Sequence, residues 1–126
     1  MKLESRLTCT RLRVLVLARR GLRGSIPEAL GSCVMLIGLG LNGNELEGCI
    51  PAALGRCLCL EWLYLQDNQL VGEVPADLAK CTRLSILQLH NNKLSGDLPA
   101  EVAALPKLTE LEFGNGNVPR GHAVNK

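Results

Sequence analysis

Leucines recur along the chain at a fixed spacing. From Leu60 to Leu70 the apolar positions are 60, 63, 65 and 70, and the same spacing returns 24 residues before and 24 residues after. Neither one helix face nor a long alternating strand gives this spacing, whereas a short strand followed by a tight inward turn does. The pattern predicts short strands near residues 14 to 16, 38 to 40, 62 to 64, 86 to 88 and 110 to 112.

The repeats divide the chain into a lead-in at residues 1 to 8, a repeat array at residues 9 to 118 and a polar tail at residues 119 to 126. They begin at residues 9, 33, 57, 81 and 105, and the fifth lacks the second half found in the others. A single copy cannot bury its own leucines, but stacked copies place Leu39, Leu63 and Leu87 on one another. We therefore expect a solenoid of about five repeats.

Each full repeat follows L-x-x-L-x-L-x-x-N-x-L-x-G-x-I/V/L-P, with Arg20 in place of Asn in the first copy. This motif resembles the plant-type leucine-rich repeat, and the resemblance covers roughly residues 9 to 118. It implies an α/β fold, a right-handed solenoid with short parallel strands on its concave side and irregular helical segments on its convex side. The implied relatives are ectodomains of receptor-like kinases and receptor-like proteins, and secreted inhibitors of cell-wall-degrading enzymes, which bind rather than catalyse.

An asparagine follows the strand in the three middle repeats, at Asn44, Asn68 and Asn92. Here the chain turns inward and would bury unpaired backbone groups at a cost of about 1–3 kcal/mol each. A carboxamide both donates and accepts, so it can bridge one turn to the next. We expect these residues to form a structural ladder.

Four of the six cysteines occupy one column of the repeat, Cys9, Cys33, Cys57 and Cys81. A small apolar side chain fits inside the stack at this point, so the sequence predicts four buried free thiols and no disulfides. Cys49 and Cys59 fall in variable columns and are expected to be exposed and redox-sensitive. The paired-cysteine cap of the implied family is missing from the N-terminus.

The sequence lacks the motifs that several classes of enzyme and metal site require. No phosphate-binding loop, nucleophile motif, metal-binding helix motif or kinase signature is present, so we expect no enzyme, no catalytic residues and no cofactor. His90 beside Asp67 could be a base with its orienting carboxylate, but their columns are variable and usually solvated. The two histidines are far apart in the repeat register, and no metal site is predicted.

Charge and hydropathy narrow the partners further. The net charge is +2, without a basic tract that would indicate nucleic acid, and no apolar run reaches the roughly 18 residues of a membrane span. No secretory signal precedes the first repeat, so the chain is expected either to be cytoplasmic and complete, or to be a cell-surface or extracellular fragment without its true N-terminus.

Alternation along the strands selects a candidate binding surface on the concave face. Trp62 and Tyr64 are the single Trp and the single Tyr of the chain, and both point outward from the third strand. Gly38 and Gly40 beside them are expected to leave a shallow recess bordered by the rings. The candidate contact residues are Trp62, Tyr64, Gln66, Asp67, Gly38, Gly40, Gln88 and His90.

These features favour a non-catalytic binding module, a fragment of a receptor-like signalling protein. Its expected partner is a protein or peptide, with a carbohydrate as the alternative, because rings flanked by amides suit either. Two other functions fit the same fold: a structural segment of a larger or intracellular scaffold, and a soluble inhibitor of a secreted hydrolase. Exposed aromatics are also ordinary on a solenoid surface without a ligand.

Overall fold

Short strands and tight helical turns alternate along the whole of the described chain. The computed structural model describes residues 9–114, 116 and 117. The strands in chain order are β1 (Val14–Val16), β2 (Arg23–Ser25), β3 (Gly38–Gly40), β4 (Glu45–Glu47), β5 (Trp62–Tyr64), β6 (Val71–Gly72), β7 (Ile86–Gln88), β8 (Lys93–Leu94) and β9 (Glu110–Glu112). The helical segments are the 3₁₀ helices Glu28–Ser32, Ala52–Arg56 and Ala76–Lys80, and the α-helix α1 at Ala100–Ala103.

The main sheet is parallel and has the order β1-β3-β5-β7-β9. Neighbouring strands pair at a constant offset of 24 residues, as in Leu39 with Leu63 and Leu63 with Leu87. The strands lie where the sequence predicts them. Two smaller parallel sheets, β2-β4 and β6-β8, form along the returning segments. The architecture confirms the predicted right-handed solenoid with a short-stranded parallel sheet.

A proline precedes each helical segment. Pro27, Pro51 and Pro75 have φ values of −72°, −71° and −71°, which the ring fixes, and each carbonyl accepts a hydrogen bond from the leucine three residues later. This bond closes a 3₁₀ turn and aims the leucine into the stack. The returning segment therefore buries Leu30, Leu54 and Leu78 fully.

The core is a column of aliphatic side chains. Leu39, Leu63 and Leu87 are 0 % exposed, and burying a side chain of this size contributes roughly 1.5–3 kcal/mol. The equivalent Leu15 and Leu111 in the outer repeats are only partly buried. Each inner repeat thus depends on its two neighbours for the burial of its leucines.

The turn after each inner strand is held by a buried carboxamide. The Oδ1 atom of Asn68 accepts from the Leu46 N–H at 3.0 Å, and its Nδ2 donates to the carbonyls of Leu41 and Leu65 at 3.0 and 3.2 Å. Asn44 and Asn92 make the same bonds one repeat before and one repeat after. One side chain in each case joins two consecutive turns.

Asn117 extends this arrangement into the fifth repeat, where the sequence predicts only half a repeat. Its Oδ1 accepts from the Leu94 N–H, and its Nδ2 donates to the Leu89 carbonyl, both at 3.0 Å. A strict 24-residue period after Asn92 leads to Gly116 instead, so the last turn is one residue longer. A search for the motif that allowed one added residue would have found it.

The cysteine column does not hold four free thiols. Cys9 and Cys33 form a disulfide with their Cα atoms 5.0 Å apart, so the prediction of free thiols is wrong for this pair. Stacking in register is the physical reason, because it brings equivalent Cα atoms within the usual range for a disulfide. Cys57 and Cys81 are free and buried, as predicted, and their thiols donate to the carbonyls of Leu30 and Leu54.

Candidate ligand-binding face

The outward side chains of the main sheet form two parallel rows. The middle residue of each strand points into the core, so its two neighbours point outward. One row consists of Val14, Gly38, Trp62, Ile86 and Glu110, and the other of Val16, Gly40, Tyr64, Gln88 and Glu112. A partner lying along these rows would cross from valines through aromatic rings to carboxylates.

The indole of Trp62 lies over Gly38. A Cβ atom built on Gly38 would stand 2.0 Å from Cε2 and Cζ2 of Trp62, closer than two non-bonded carbon atoms can approach. At Gly40, Trp62, Val16 and Asn42 all come within 3.7 Å of the same position. The predicted recess is therefore filled by neighbouring side chains, and both glycines are buried.

Trp62 and Tyr64 pack against each other. Their ring centroids are 5.2 Å apart and the ring planes are inclined by 36°, an ordinary geometry for a tilted aromatic pair. Both side chains are half-buried, which leaves part of each ring accessible. Val14 and Val16, two strands away, are 50 % and 52 % exposed. Together these four residues form a raised apolar surface, which we call the aromatic strip.

Polar side chains border the aromatic strip where the strands end. Asp67 and Asn91 both adopt the left-handed conformation, with φ of 61° and 56°, and Asn91 Nδ2 donates to Asp67 Oδ1 at 2.8 Å. The Oε1 atom of Gln66 and the Nδ1 atom of His90 are shielded from solvent and have no hydrogen-bond partner among the described residues. This polar margin is formed by two adjacent repeats.

The two ends of the face differ in charge. Glu110 and Glu112 are exposed on β9. At the other end, Arg11, Arg13, Arg19 and Arg20 are all exposed. Arg19 leans toward the second repeat, since its Cγ lies 2.8 Å from the Cβ position of Gly43. A bound chain with its own charges would thus have a preferred direction.

The structure brings most of the sequence-predicted contact residues together. Trp62, Tyr64 and Gln88 lie on the face, while Gln66, Asp67 and His90 lie in the polar margin. Gly38 and Gly40 lie beneath the side chains instead of beside a partner. Val14 and Val16, which strand alternation marks as outward-facing but which the predicted contact set leaves out, belong to the same surface.

The described part of the chain contains neither a metal-binding cluster nor a membrane-spanning helix. Within it, no group of three or more His, Cys, Asp or Glu side chains is placed to hold a metal ion. Over the same residues, no helix has the length and apolar character needed to cross a membrane.

Comparisons with known proteins place the fold among plant receptor ectodomains. The Leucine Rich Repeat family matches residues 59–81 and 83–105. The BIR2 ectodomain from Arabidopsis thaliana is 41 % identical, with a TM-score of 0.80 over 85 % of this chain. A chain of the BIR3–SERK2 complex from the same plant is 38 % identical, with a TM-score of 0.79 over 85 % of this chain.

A third similar structure contains a peptide. It is the Arabidopsis receptor kinase HAESA with the peptide hormone IDA and the co-receptor SERK1. The match covers 94 % of this chain at 30 % sequence identity, with a TM-score of 0.72. This chain spans 56 % of the BIR2 ectodomain, 57 % of the matched chain in the BIR3–SERK2 complex and 24 % of the chain matched in the HAESA complex. Among curated proteins compared by sequence, none matches.

Proposed function

Because the chain is a leucine-rich-repeat protein of the plant type, we propose that it is a non-catalytic module that binds a peptide or protein segment on its five-stranded face. The observation that carries this proposal is the aromatic strip. Trp and Tyr supply large, rigid contact area and are enriched among the residues that dominate interface energies. Here both rings are fixed by their neighbours before any partner arrives.

The geometry favours an extended partner. The aromatic strip runs across the strands from β1 to β5, and Gln88 continues the same row on β7. The polar margin with Gln66, Asp67 and His90 runs parallel to it. A peptide lying across the strands would place apolar side chains on the strip and its backbone groups near the carboxamides of the margin.

The similar structures support a protein or peptide partner. One of them is a complex between two proteins, and another contains a peptide hormone. The similar structures offer no support for a carbohydrate partner, so the proposal is restricted to peptides and proteins. By the same likeness, we propose that this chain belongs to a receptor-like signalling protein.

The disulfide supports a cell-surface or secreted setting. Disulfides persist in oxidising compartments and are uncommon in the cytosol, where thiols are kept reduced. The bond between Cys9 and Cys33 joins the first two repeats. This placement agrees with an ectodomain role and disfavours the intracellular scaffold considered from the sequence.

A random-peptide library displayed on phage tests the proposal. The affinity of peptides selected on the parent protein is measured for the double variant Trp62→Ala/Tyr64→Ala and for Val71→Ala. Val71 is 40 % exposed and lies away from the five-stranded face. We expect the double variant to weaken binding by more than about 2 kcal/mol and Val71→Ala to leave it unchanged. Bound peptide should also shift the fluorescence of Trp62.

The unfolding midpoint of each variant is the control for loss of structure. If folded Trp62→Ala/Tyr64→Ala protein bound every selected peptide as tightly as the parent does, and Trp62 emission stayed unmoved, the five-stranded face would not be the binding site.

A further inference from the structure

A second exposed apolar surface lies outside the candidate ligand-binding face. Each repeat enters its main strand through a tight turn closed by a backbone hydrogen bond, such as Leu36 N–H to the Cys33 carbonyl and Leu60 N–H to the Cys57 carbonyl. The first and last residues of these turns pack against the core, and in the second, third and fourth repeats they are fully buried. The two central residues point away from the core in every repeat, and nine of these ten are exposed.

Three of the five turns carry polar or charged residues, or proline, at these central positions. They are Thr10 and Arg11 in the first repeat, Thr82 and Arg83 in the fourth, and Pro106 and Lys107 in the fifth. The second and third repeats carry Val34 and Met35, and Leu58 and Cys59, in the same places. The fold accepts polar side chains here, so stability does not require the apolar ones.

These four side chains, which we call the turn patch, are adjacent and accessible. Val34, Met35 and Leu58 are 49 %, 38 % and 59 % exposed, and Cys59 is half-buried. Equivalent turn positions in neighbouring repeats are close, since the first turn residues Cys9 and Cys33 have Cα atoms 5.0 Å apart and the strands that follow the second and third turns pair in register. A contiguous exposed apolar group of this kind indicates an interaction site.

The charged side chains that flank the turn patch along its row are positive. Its row reads Arg11, Met35, Cys59, Arg83 and Lys107 along the solenoid, with cations on both sides of the apolar pair. Arg56 is exposed just before the Leu58 turn. On the strand side, half-buried Glu61 lines an open groove together with Arg83, Ser85 and Lys107. Arg56 also shares a groove with Glu28 and Asp77, so the basic excess lies along the row of the turn patch itself.

We infer that the turn patch is a docking site for a protein partner that presents an apolar side chain flanked by carboxylates. Charge complementarity argues for this partner: its apolar side chain would contact the apolar centre of the patch, and its carboxylates would lie beside the basic residues at the two ends. A second copy fits poorly: a twofold axis between the second and third repeats would set Arg11 of one copy against Arg83 of the other. The site is separate from the aromatic strip.

Exchange of the turns provides a matched variant. In Val34→Thr/Met35→Arg/Leu58→Thr/Cys59→Arg, the second and third turns receive the residues of the fourth, which the fold already accommodates. A random-peptide library on phage is selected on the parent protein, and peptides that also bind the exchanged variant are removed. We expect the remaining peptides to carry Leu, Ile or Phe flanked by Asp or Glu.

These peptides provide three quantitative tests. Leu58→Thr alone should weaken their binding about tenfold or more, as expected for the loss of one buried leucine contact. Added salt should weaken binding further, because the flanking pairs are exposed. Bound peptide should slow alkylation of Cys59 and leave the exposed Cys49 unaffected.

Three outcomes would overturn the inference. One is that the parent and the correctly folded exchanged variant select the same peptides, and another is that the selected peptides are basic. The third is that Leu58-dependent binding occurs only to phosphatidylserine vesicles, which would identify a membrane surface instead. Peptides of the turn patch should still bind Trp62→Ala/Tyr64→Ala, so failure here is distinguishable from failure of the proposed function.

Discussion

The six-membered ring of Trp62 occupies the space in which a side chain at Gly38 would begin, 2.0 Å from the position of its Cβ. Gly38 is therefore required by the packing of the indole. Because Tyr64 packs on the same indole, the orientation of both rings depends on the missing side chain one strand away. This relationship leads to a direct test.

Gly38→Ala should displace the indole, whereas Gly40→Ala should not. At Gly38 the new methyl group would overlap the ring, while at Gly40 its nearest neighbours would be 3.6–3.7 Å away, an ordinary contact distance. We expect Gly38→Ala to move Trp62 emission to longer wavelength, to increase quenching by acrylamide, and to lower stability by about 1–3 kcal/mol if the ring cannot leave. Identical spectra for the two variants would contradict this packing.

Asn68→Leu should destabilise the protein more than Gln66→Leu. The first substitution removes the carboxamide acceptor of the buried Leu46 N–H, and it removes one of the two carboxamide donors to each of the Leu41 and Leu65 carbonyls, which keep Asn44 and Asn92. A buried donor left without an acceptor costs about 1–3 kcal/mol. The second removes a side chain whose Oε1 has no partner among the described residues. Urea midpoints measure the difference, and equal values would argue against the ladder.

The disulfide should contribute about 3 kcal/mol, the chain-entropy expectation for a loop of this length, since the two cysteines are 24 residues apart. Reduction should therefore lower the urea midpoint of the parent. The double variant Cys9→Ala/Cys33→Ala should begin at the lower midpoint and show no further response to reductant. Peptide mapping without reduction should recover the linked peptides. Their absence from oxidised, folded protein would show that the bond between Cys9 and Cys33 does not form.

Alkaline pH should weaken the fold through the buried thiols. Burial, followed by the charge of nearby Cys57, raises the pKa of Cys81 to about 12 from its usual 9.0, and burial also raises the pKa of Cys57. The native state thus holds these protons more tightly than the unfolded chain does. The contribution of the protonated thiols to the free energy of unfolding is therefore complete below about pH 9. It is lost as the pH rises toward 12, by at most about 1.4 kcal/mol per pH unit for each thiol.

Urea unfolding at stepped pH measures this slope, and Cys81→Ala provides the control. The variant is less stable throughout because it loses packing, but its stability should fall less steeply above pH 9 than that of the parent. At neutral pH, thiol reagents should modify Cys49 and Cys59 in native protein and reach Cys57 and Cys81 only after denaturation. Parallel slopes in the two proteins would show that Cys81 does not titrate as described.

The strand positions could be predicted from the sequence because the 24-residue period and the alternation of apolar residues are both local signals. The disulfide could not, because the period makes all four column cysteines equivalent, whereas in the structure Cys57 and Cys81 are set apart by bonds from their thiols to carbonyls of the preceding repeat. Alternation likewise gives the outward direction of Trp62 but not the rotamer that brings its ring over Gly38. A fixed 24-residue period also does not predict the hydrogen bonds of Asn117, because this residue lies one position beyond the one that the period gives.

The covalent link between the first two repeats also gives the solenoid a polarity in how it comes apart. In a linear array each repeat touches only its neighbours, so opening starts at whichever end is less firmly held. The first repeat is tied to the second by a bond that thermal motion does not break, while the fifth is joined to the fourth by strand pairing, by partly buried leucines and by the hydrogen bonds of Asn117. Among the described strands, amide protons on β9 should therefore exchange before those on β1, and exchange should extend from the fifth repeat toward the aromatic strip.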